Sequence, residues 1–292
     1  MRVRAVPKNT LRDIIKENWI DHSRKAFTEG NIAWVPVRDN EPFDREIPGR
    51  IRYQGRGFFM LGDIAVIHGE KPGQVDIEKI ISFRHPRGVL WIESLHKITR
   101  IPKTEILWGD IGEVRHRESG YTYFLDPRKV MFAQGNRSEK KRIAQMVRNS
   151  TTAERVADMF AGIGYFTIPI AGSGARVHAI EINPVAFEYL NRNIQENDFS
   201  DRVTTSLGDC RDQLCATYDR IIMGHFDAIS MLPSALLHVH EGSIIHIHSI
   251  GSVEDQIKKQ VNGAGFSAVI TVHKVKKYRP HAWHMVQDVT IS

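Results

Sequence analysis

The chain is poor in cysteine. Its 292 residues hold two, Cys210 and Cys215, too few for a disulfide framework or a zinc site. No apolar run reaches the roughly 18 residues a membrane-crossing helix needs. The first residues, Met1-Arg-Val-Arg-Ala-Val-Pro-Lys8, lack the apolar centre of a secretory signal. There is no internal repeat and no low-complexity segment. These absences set the expectation of a cytoplasmic globular protein with no membrane attachment and no metal. Acidic residues are also in deficit: 34 Asp and Glu face 40 Lys and Arg, for a net charge of +6. A pI near 9.3 suits a polyanionic partner without requiring one.

The basic residues cluster. Arg45, Arg50, Arg52 and Arg56 form one group, and Arg115, Arg117, Arg128, Lys129, Arg137, Lys140, Lys141 and Arg142 a second. Lys274, Lys276, Lys277 and Arg279 form a third. Any single cluster is more simply read as solvated surface charge.

Two regions differ in pattern. Residues 1–118 read as a small α+β domain. A helix is expected over Thr10–Trp19, strands over Asn31–Val37, Arg50–Tyr53 and Val89–Glu93, and a strand broken at Gly62 over Phe58–Ile67. A second helix is expected over Val75–Phe83. Residues 119–292 open with a hairpin-like pair, Tyr121–Leu125 and Val130–Phe132, around Asp126-Pro127, and a basic helix over Glu139–Asn149. Strand and helix signals then alternate. Strands are expected at 155–158, 177–181, 203–207, 219–223, 243–248, 268–274 and 284–291. That alternation predicts an α/β fold with a doubly wound, mostly parallel sheet, closing on an antiparallel pair.

The densest signal is Ala157-Asp158-Met159-Phe160-Ala161-Gly162-Ile163-Gly164-Tyr165-Phe166. An apolar strand ending in an acid runs into a glycine turn, and glycine lets backbone pass close to a ligand. The next strand-like run ends in Glu181, placed to accept hydrogen bonds from a ribose diol. The third glycine of Gly-x-Gly-x-x-Gly is absent, which argues against a pyrophosphate cofactor. An adenosine without phosphates fits better, and S-adenosyl-L-methionine meets that description. Phe160 and Gly162 in the turn, and Ile182 after Glu181, are candidate cofactor contacts. Asp158 contacts the amino group of the cofactor's methionine part, or caps the following helix. After the third strand, Asp209 is placed to accept from the adenine amine and Cys210 to donate its backbone N–H; the alternative is a turn aspartate. Phe132, Tyr165 and Phe166 pack on the cofactor, stack on a base, or fill core.

The fourth strand ends in Met223-Gly224-His225-Phe226. Nucleobase methyltransferases often carry an Asn-Pro or Asp-Pro turn there, and none is present. His225 is a candidate base, an acceptor contact, or a polar residue at a strand end. His246 and His248 share one strand face. No nearby cysteine or acidic cluster supports a metal pair, so they read as hydrogen-bonded strand histidines.

Taken together, these residues resemble the Trm5-like class I methyltransferase superfamily of tRNA position-37 modifying enzymes, and within it the archaeal-type wybutosine-pathway aminocarboxypropyltransferases. The likeness spans about residues 58–292. It is strongest at Asp158–Pro169, Ala179–Pro184, Gly208–Arg211, His116–Phe132 and Tyr278–His284. It implies a Rossmann-like catalytic domain over residues 119–292, and an N-terminal domain over 1–118 that assists tRNA binding. It implies transfer of the 3-amino-3-carboxypropyl group of S-adenosylmethionine to carbon 7 of 4-demethylwyosine at position 37, in the anticodon loop of phenylalanine tRNA. Methylthioadenosine leaves, and the protein is a monomer. Relatives that methylate N1 of guanosine-37 carry Asn-Leu-Pro where this chain has Met223–Phe226. Two positions depart from the pattern. The family's cofactor-contacting serine aligns with Ala133, and an arginine in the following helix with Lys140, a point charge in place of a fork. The rival readings are a guanosine-37 N1-methyltransferase and, from another class, a non-catalytic tRNA-binding protein.

Overall fold

The computed structural model describes residues 1–48, 53–96 and 100–292. The strand expected at Arg50–Tyr53 falls largely outside these residues, as do Arg50 and Arg52. The chain divides into two compact units, Met1–Gln54 and Gly55–Ser292.

In the smaller unit, four antiparallel strands lie in the order Phe27–Glu29, Ile32–Pro36, Arg2–Pro7, Arg45–Glu46. Val3, Ile20, Ala33, Val35 and Val37 make its core. The helix expected over Thr10–Trp19 is confined to Leu11–Ile14. Past Ile14 the chain runs in turns, the Glu17 N–H donating to the Ile14 carbonyl at 2.9 Å, until Ile20 bridges to Val37 and the Arg38 N–H donates to the Trp19 carbonyl at 2.9 Å.

The larger unit begins with a four-stranded sheet, Phe59–Leu61, Ile64–His68, Gly88–His96 and Ile101–Gly109. Gly62 splits its first two strands as expected. The helix Gln74–Arg84 carries the crossover between the parallel pair Ile64–His68 and Gly88–His96.

The next hairpin differs from the expected one. Tyr121–Leu125 pairs with the upstream Val114–Glu118, and Val130–Phe132 is irregular. Ser119 and Gly120, at φ +56° and +93°, form the tight turn, since two successive positive φ values match the twist of paired strands. The free edge of Tyr121–Leu125 is closed by a helix. From Pro184–Glu196, Asn193 accepts from the Phe124 N–H at 2.7 Å and donates to its carbonyl at 3.2 Å; one turn on, just past the helix, Asn197 does the same for Thr122 at 3.0 and 2.7 Å. Two asparagines four residues apart thus satisfy edge groups that burial would otherwise leave unpaired.

The seven-stranded sheet runs Val203–Leu207, Arg176–Glu181, Arg155–Asp158, Arg220–Met223, Ile244–Ile250, Ala282–Ile291, Ala268–Arg279. The first five are mutually parallel; the last two run antiparallel to their neighbours. This is the expected Rossmann-like, doubly wound class I methyltransferase architecture. Chain order reverses between Arg155–Asp158 and Arg220–Met223, and in such sheets the ligand crevice opens outside the carboxyl ends at that point. Val156, Ile221, Ile222, Ile245 and Ile247 are fully buried, as strands covered on both faces require.

Candidate active site

A cavity of about 470 Å³ opens at these carboxyl ends, within the 300–1,000 Å³ range of cofactor sites. Its walls come from the glycine turn after the first parallel strand, the ends of the second and fourth, the start of the short helix after the third, and the segment Val130–Asn136.

The glycine turn is shaped by two left-handed residues, Gly162 at φ +58° and Gly164 at φ +100°. A Cβ on Gly162 would fall 2.3 Å from the Tyr165 ring, so only glycine fits between that ring and the space in front. The Gly162 N–H donates to Glu181 Oε2 at 2.7 Å, and the Asn183 N–H to Oε1 at 2.7 Å. Each Glu181 oxygen therefore accepts one backbone bond and keeps acceptor capacity for a diol. Burial pushes this carboxyl upward, against the pull of those N–H donors. Ile182 beside it lines the cavity and stays 43% exposed, an apolar surface available to a flat ligand.

Asp209 caps the helix Cys210–Gln213. It accepts from the Arg211 N–H at 2.9 Å and is gripped by the Arg211 guanidinium at 3.0 and 2.6 Å. That guanidinium holds the carboxyl below its usual range. Cys210 lines the cavity, and its thiol is pushed up to about 12 by burial and set against the Met231 sulfur at 3.5 Å, so its side chain is chemically inert.

Ala133, Phe160, Gly162, Glu181, Ile182, Asp209, Cys210 and His225 all line this one cavity. Lys140 and Asp158 do not. Asp158 is wholly buried, accepting from Thr167 Oγ1 at 2.7 Å and from the Phe160 N–H at 3.4 Å, and desolvation pushes it up to about 6. It ties the turn to the first residue of the helix Thr167–Ala171. Lys140 is buried against Glu118 at 2.5 Å, with Arg137 on the same carboxylate at 3.0 Å. Its ammonium lies 5.2 Å from the Phe132 ring centroid and 5.8 Å from that of Tyr165, two rings that line the cavity. Phe166 also lines it, so all three aromatics flagged in the sequence serve as wall.

His225 stacks on Phe160, with ring centres 5.6 Å apart. Its Nδ1 accepts from the Asp227 N–H at 3.2 Å, which leaves Nε2 as the protonated nitrogen of the neutral ring. Burial, followed by the Arg100 charge, holds its pKa below the ordinary value. A neutral Nε2–H donor is a hydrogen-bonding contact for an acceptor rather than a poised base.

Several lining residues had no assigned role: Phe59, His68, Arg100, Lys276 and Tyr278. Lys276 and Tyr278 stood in quoted sequence clusters. Arg100 carried no signal, since nothing near it in the chain marks a ligand.

A match to the TRM5/TYW2 methyltransferase domain spans residues 114–276. The chain belongs to the TRM5/TYW2 family. It is 34% identical, over 82% of its length and 97% of the relative's, to the tRNA(Phe) (4-demethylwyosine(37)-C(7)) aminocarboxypropyltransferase of Methanocaldococcus jannaschii. Among solved TRM5/TYW2 structures it resembles Pyrococcus horikoshii TYW2 in complex with MeSAdo, with a TM-score of 0.70 and 28% identity over 82% of this chain and 92% of that one. It also resembles Trm5b of Pyrococcus abyssi, at 0.74 and 26%, over 99% of both chains. Both branches of the family therefore share this architecture. Among the described residues no group of three His, Cys, Asp or Glu side chains gathers as metal ligands, and no helix is long and apolar enough to cross a membrane.

Proposed function

We propose that the protein transfers the 3-amino-3-carboxypropyl group of S-adenosylmethionine to carbon 7 of 4-demethylwyosine at position 37 of phenylalanine tRNA, with methylthioadenosine as by-product. The supporting observation is this adenosine-sized cavity in a chain 34% identical to an archaeal aminocarboxypropyltransferase along 97% of its length.

The residues suit the donor. Glu181 takes the ribose diol, the Asp209 carboxylate and the Cys210 backbone N–H take the adenine edge, and Phe160, Gly162 and Ile182 pack on its faces. Ala133 offers backbone at the amino-acid end. Lys140 and Asp158 act from behind the wall, the first holding the Phe132 and Tyr165 rings and the second fixing the glycine turn. The donor supplies a sulfonium with electrophilic carbons, and placement alone selects among them. His225, as an Nε2–H donor over Phe160, orients the acceptor base. No strong general base is required for bond formation, because the acceptor carbon is itself electron-rich; the carbon–sulfur bond breaks as it attacks, and its proton then leaves to solvent. Residues 1–118 assist tRNA binding and 119–292 carry most of the donor site, with Phe59, His68 and Arg100 of the first region adding to its wall. The net charge of +6 fits a tRNA partner. We further propose that the protein acts as a cytoplasmic monomer at the anticodon loop.

The test uses S-adenosylmethionine labelled either in the methyl group or in the carboxypropyl chain, incubated with tRNA carrying the precursor base. Label from the carboxypropyl chain enters tRNA. Methyl label in tRNA with release of S-adenosylhomocysteine defeats the reading in favour of guanosine-37 methylation. Bound tRNA with neither label transferred points to a non-catalytic binder.

A further inference from the structure

Three cationic side chains line the cavity among the described residues: Arg211, Arg100 and Lys276. Arg211 is neutralised by Asp209. Among the described residues Arg100 and Lys276 have no carboxylate partner, and the Arg100 Nε is buried without an acceptor. A buried donor on a charged group without a partner is costly, and with a second cation beside it that no carboxylate neutralises, the site suits an anion.

Backbone geometry turns Lys276 toward this place. Along the antiparallel pair of final strands, Lys274 lies opposite Met285 and Lys276 opposite His284, so Val275 is an extra residue, a β-bulge. Cross-strand partners share a face, and His284 and Met285 are neighbours on opposite faces. Lys276 is thereby moved onto the face of the buried His284, away from Lys274. Without the bulge, Lys274 and Lys276 would share one side. Lys277, opposite Trp283, returns to the face of Lys274, and both of these lysines are exposed.

Glycine makes the reach possible. A Cβ on Gly135 would fall 1.9 Å from the Lys276 ammonium, so that nitrogen rests on the Gly135 backbone, two residues beyond Ala133. Arg100 approaches from elsewhere in the wall, its guanidinium 5.6 Å from the Phe226 ring centroid. The proximity of the two cations is also felt electrostatically: burial first, then Arg100, lowers the Lys276 pKa.

We propose that Lys276 and Arg100 form an oxyanion clamp for the α-carboxylate of the donor's aminocarboxypropyl chain, at the end of the cavity next to Ala133 and Gly135. The proposal rests on the donor reading above. It supplies what Lys140 does not, since Lys140 is already paired with Glu118 outside the lining. A tRNA phosphate is the other oxyanion within reach. Lys274, Lys277 and Arg279 of the same strand are the ones exposed to it, while Lys276 is turned inward and half-buried. A clamp on the carboxylate holds the group that is transferred and leaves the adenosine to Glu181 and Asp209.

Calorimetry with two ligands tests this. S-adenosylmethionine carries the carboxylate, and methylthioadenosine has the same adenosine and sulfur without it. Lys276→Ala and Arg100→Gln are each expected to weaken S-adenosylmethionine about ten- to a hundredfold, the scale of a lost charge-assisted hydrogen bond, and to leave methylthioadenosine within about twofold of wild type. Lys276→Arg should restore most of the loss. Retained methylthioadenosine binding shows that the variants are folded. The clamp is overturned if both ligands weaken equally, if neither changes, or if only tRNA affinity falls, which assigns the cations to phosphate. If the wild-type protein binds neither ligand, the donor reading itself fails.

Discussion

The cavity and the charged layer elsewhere in the same sheet use similar residues in opposite ways. In that layer, Glu154 grips Arg220 at 2.6 and 2.8 Å, and Arg220 donates to His246 Nε2 at 2.7 Å. His246 Nδ1 meets Asp288 at 2.6 Å, and Asp288 takes Arg142 at 2.6 and 2.9 Å. Arg142 returns to Glu139 at 2.6 and 2.9 Å. Arginine only donates, so His246 accepts at Nε2, is neutral, and donates from Nδ1 to Asp288. Arg142 and His246 hold the Asp288 carboxyl far below its ordinary value, outweighing burial. Charges here are paired end to end, and they pin the helix Arg137–Arg148 to the sheet. In the cavity, Arg100 and Lys276 have no such partners among the described residues, and Glu181 keeps acceptor capacity in reserve. A fully paired buried charge is scaffold, and an unpaired one beside a cavity marks a place for a ligand.

The strongest way to break this contrast is Asp288→Ala. Removing one partner from a buried network strands the others, and a cost of about 3–5 kcal/mol in urea unfolding is expected. A cost under about 1 kcal/mol, the surface-pair scale, would mean the layer is not scaffold. Next in size, Glu181→Ala should weaken S-adenosylmethionine by about 1.5–3 kcal/mol in calorimetry, the value of hydrogen bonds to a charged group. Unchanged affinity removes Glu181 from the ribose. Gly162→Ala should cost about 1–2 kcal/mol of stability for a left-handed alanine, plus displacement of Tyr165. It should also weaken binding, because the lost N–H geometry is shared with Glu181. A stability loss without any binding loss would separate the turn from the ligand.

The smallest effect concerns acid. His284 sits against His248 at 2.9 Å, and burial, followed by the Lys276 charge, lowers it from 6.5 to about 4. His248 is also held well below its usual value, by burial first and then by the His284 charge. Both stay neutral in the fold, so their contribution is complete above about pH 6.5. It is lost as pH falls toward 4, where the unfolded chain takes up protons first. Asp158, pushed up to about 6, acts in the opposite sense over part of that window. The useful measurement is therefore the difference between wild type and His284→Gln. The variant should show a shallower loss of melting temperature between pH 6.5 and 4, and an identical slope would clear His284 of any role.

Much of the architecture was readable in residue order. All seven strands of the large sheet fall where alternation placed them, because buried parallel strands are short apolar runs bounded by turns. The glycine turn, Glu181 and Asp209 were readable for a related reason: strand ends are marked in sequence, and the crevice lies at strand ends. The hairpin partner of Tyr121–Leu125 was misread, because Ser119-Gly120 is a weaker turn signal than Asp126-Pro127 and because Asn193 and Asn197, far along the chain, close the other edge. The helix after Thr10 was overextended, because pairing at Ile20 overrides helical spacing.

By itself, the sequence determined the sheet and the glycine turn, Glu181 and Asp209 at its strand ends, all local patterns of spacing and residue type. Tertiary structure alone decided which charges are spent and which are free. Lys140 reads as a cofactor contact until Glu118, 22 residues upstream, is seen to neutralise it. Lys276 reads as one of four surface cations until a single bulged residue turns it inward. Pairing is a property of distance in space, and one inserted residue reverses a strand's faces, so neither outcome is written in the order of residues.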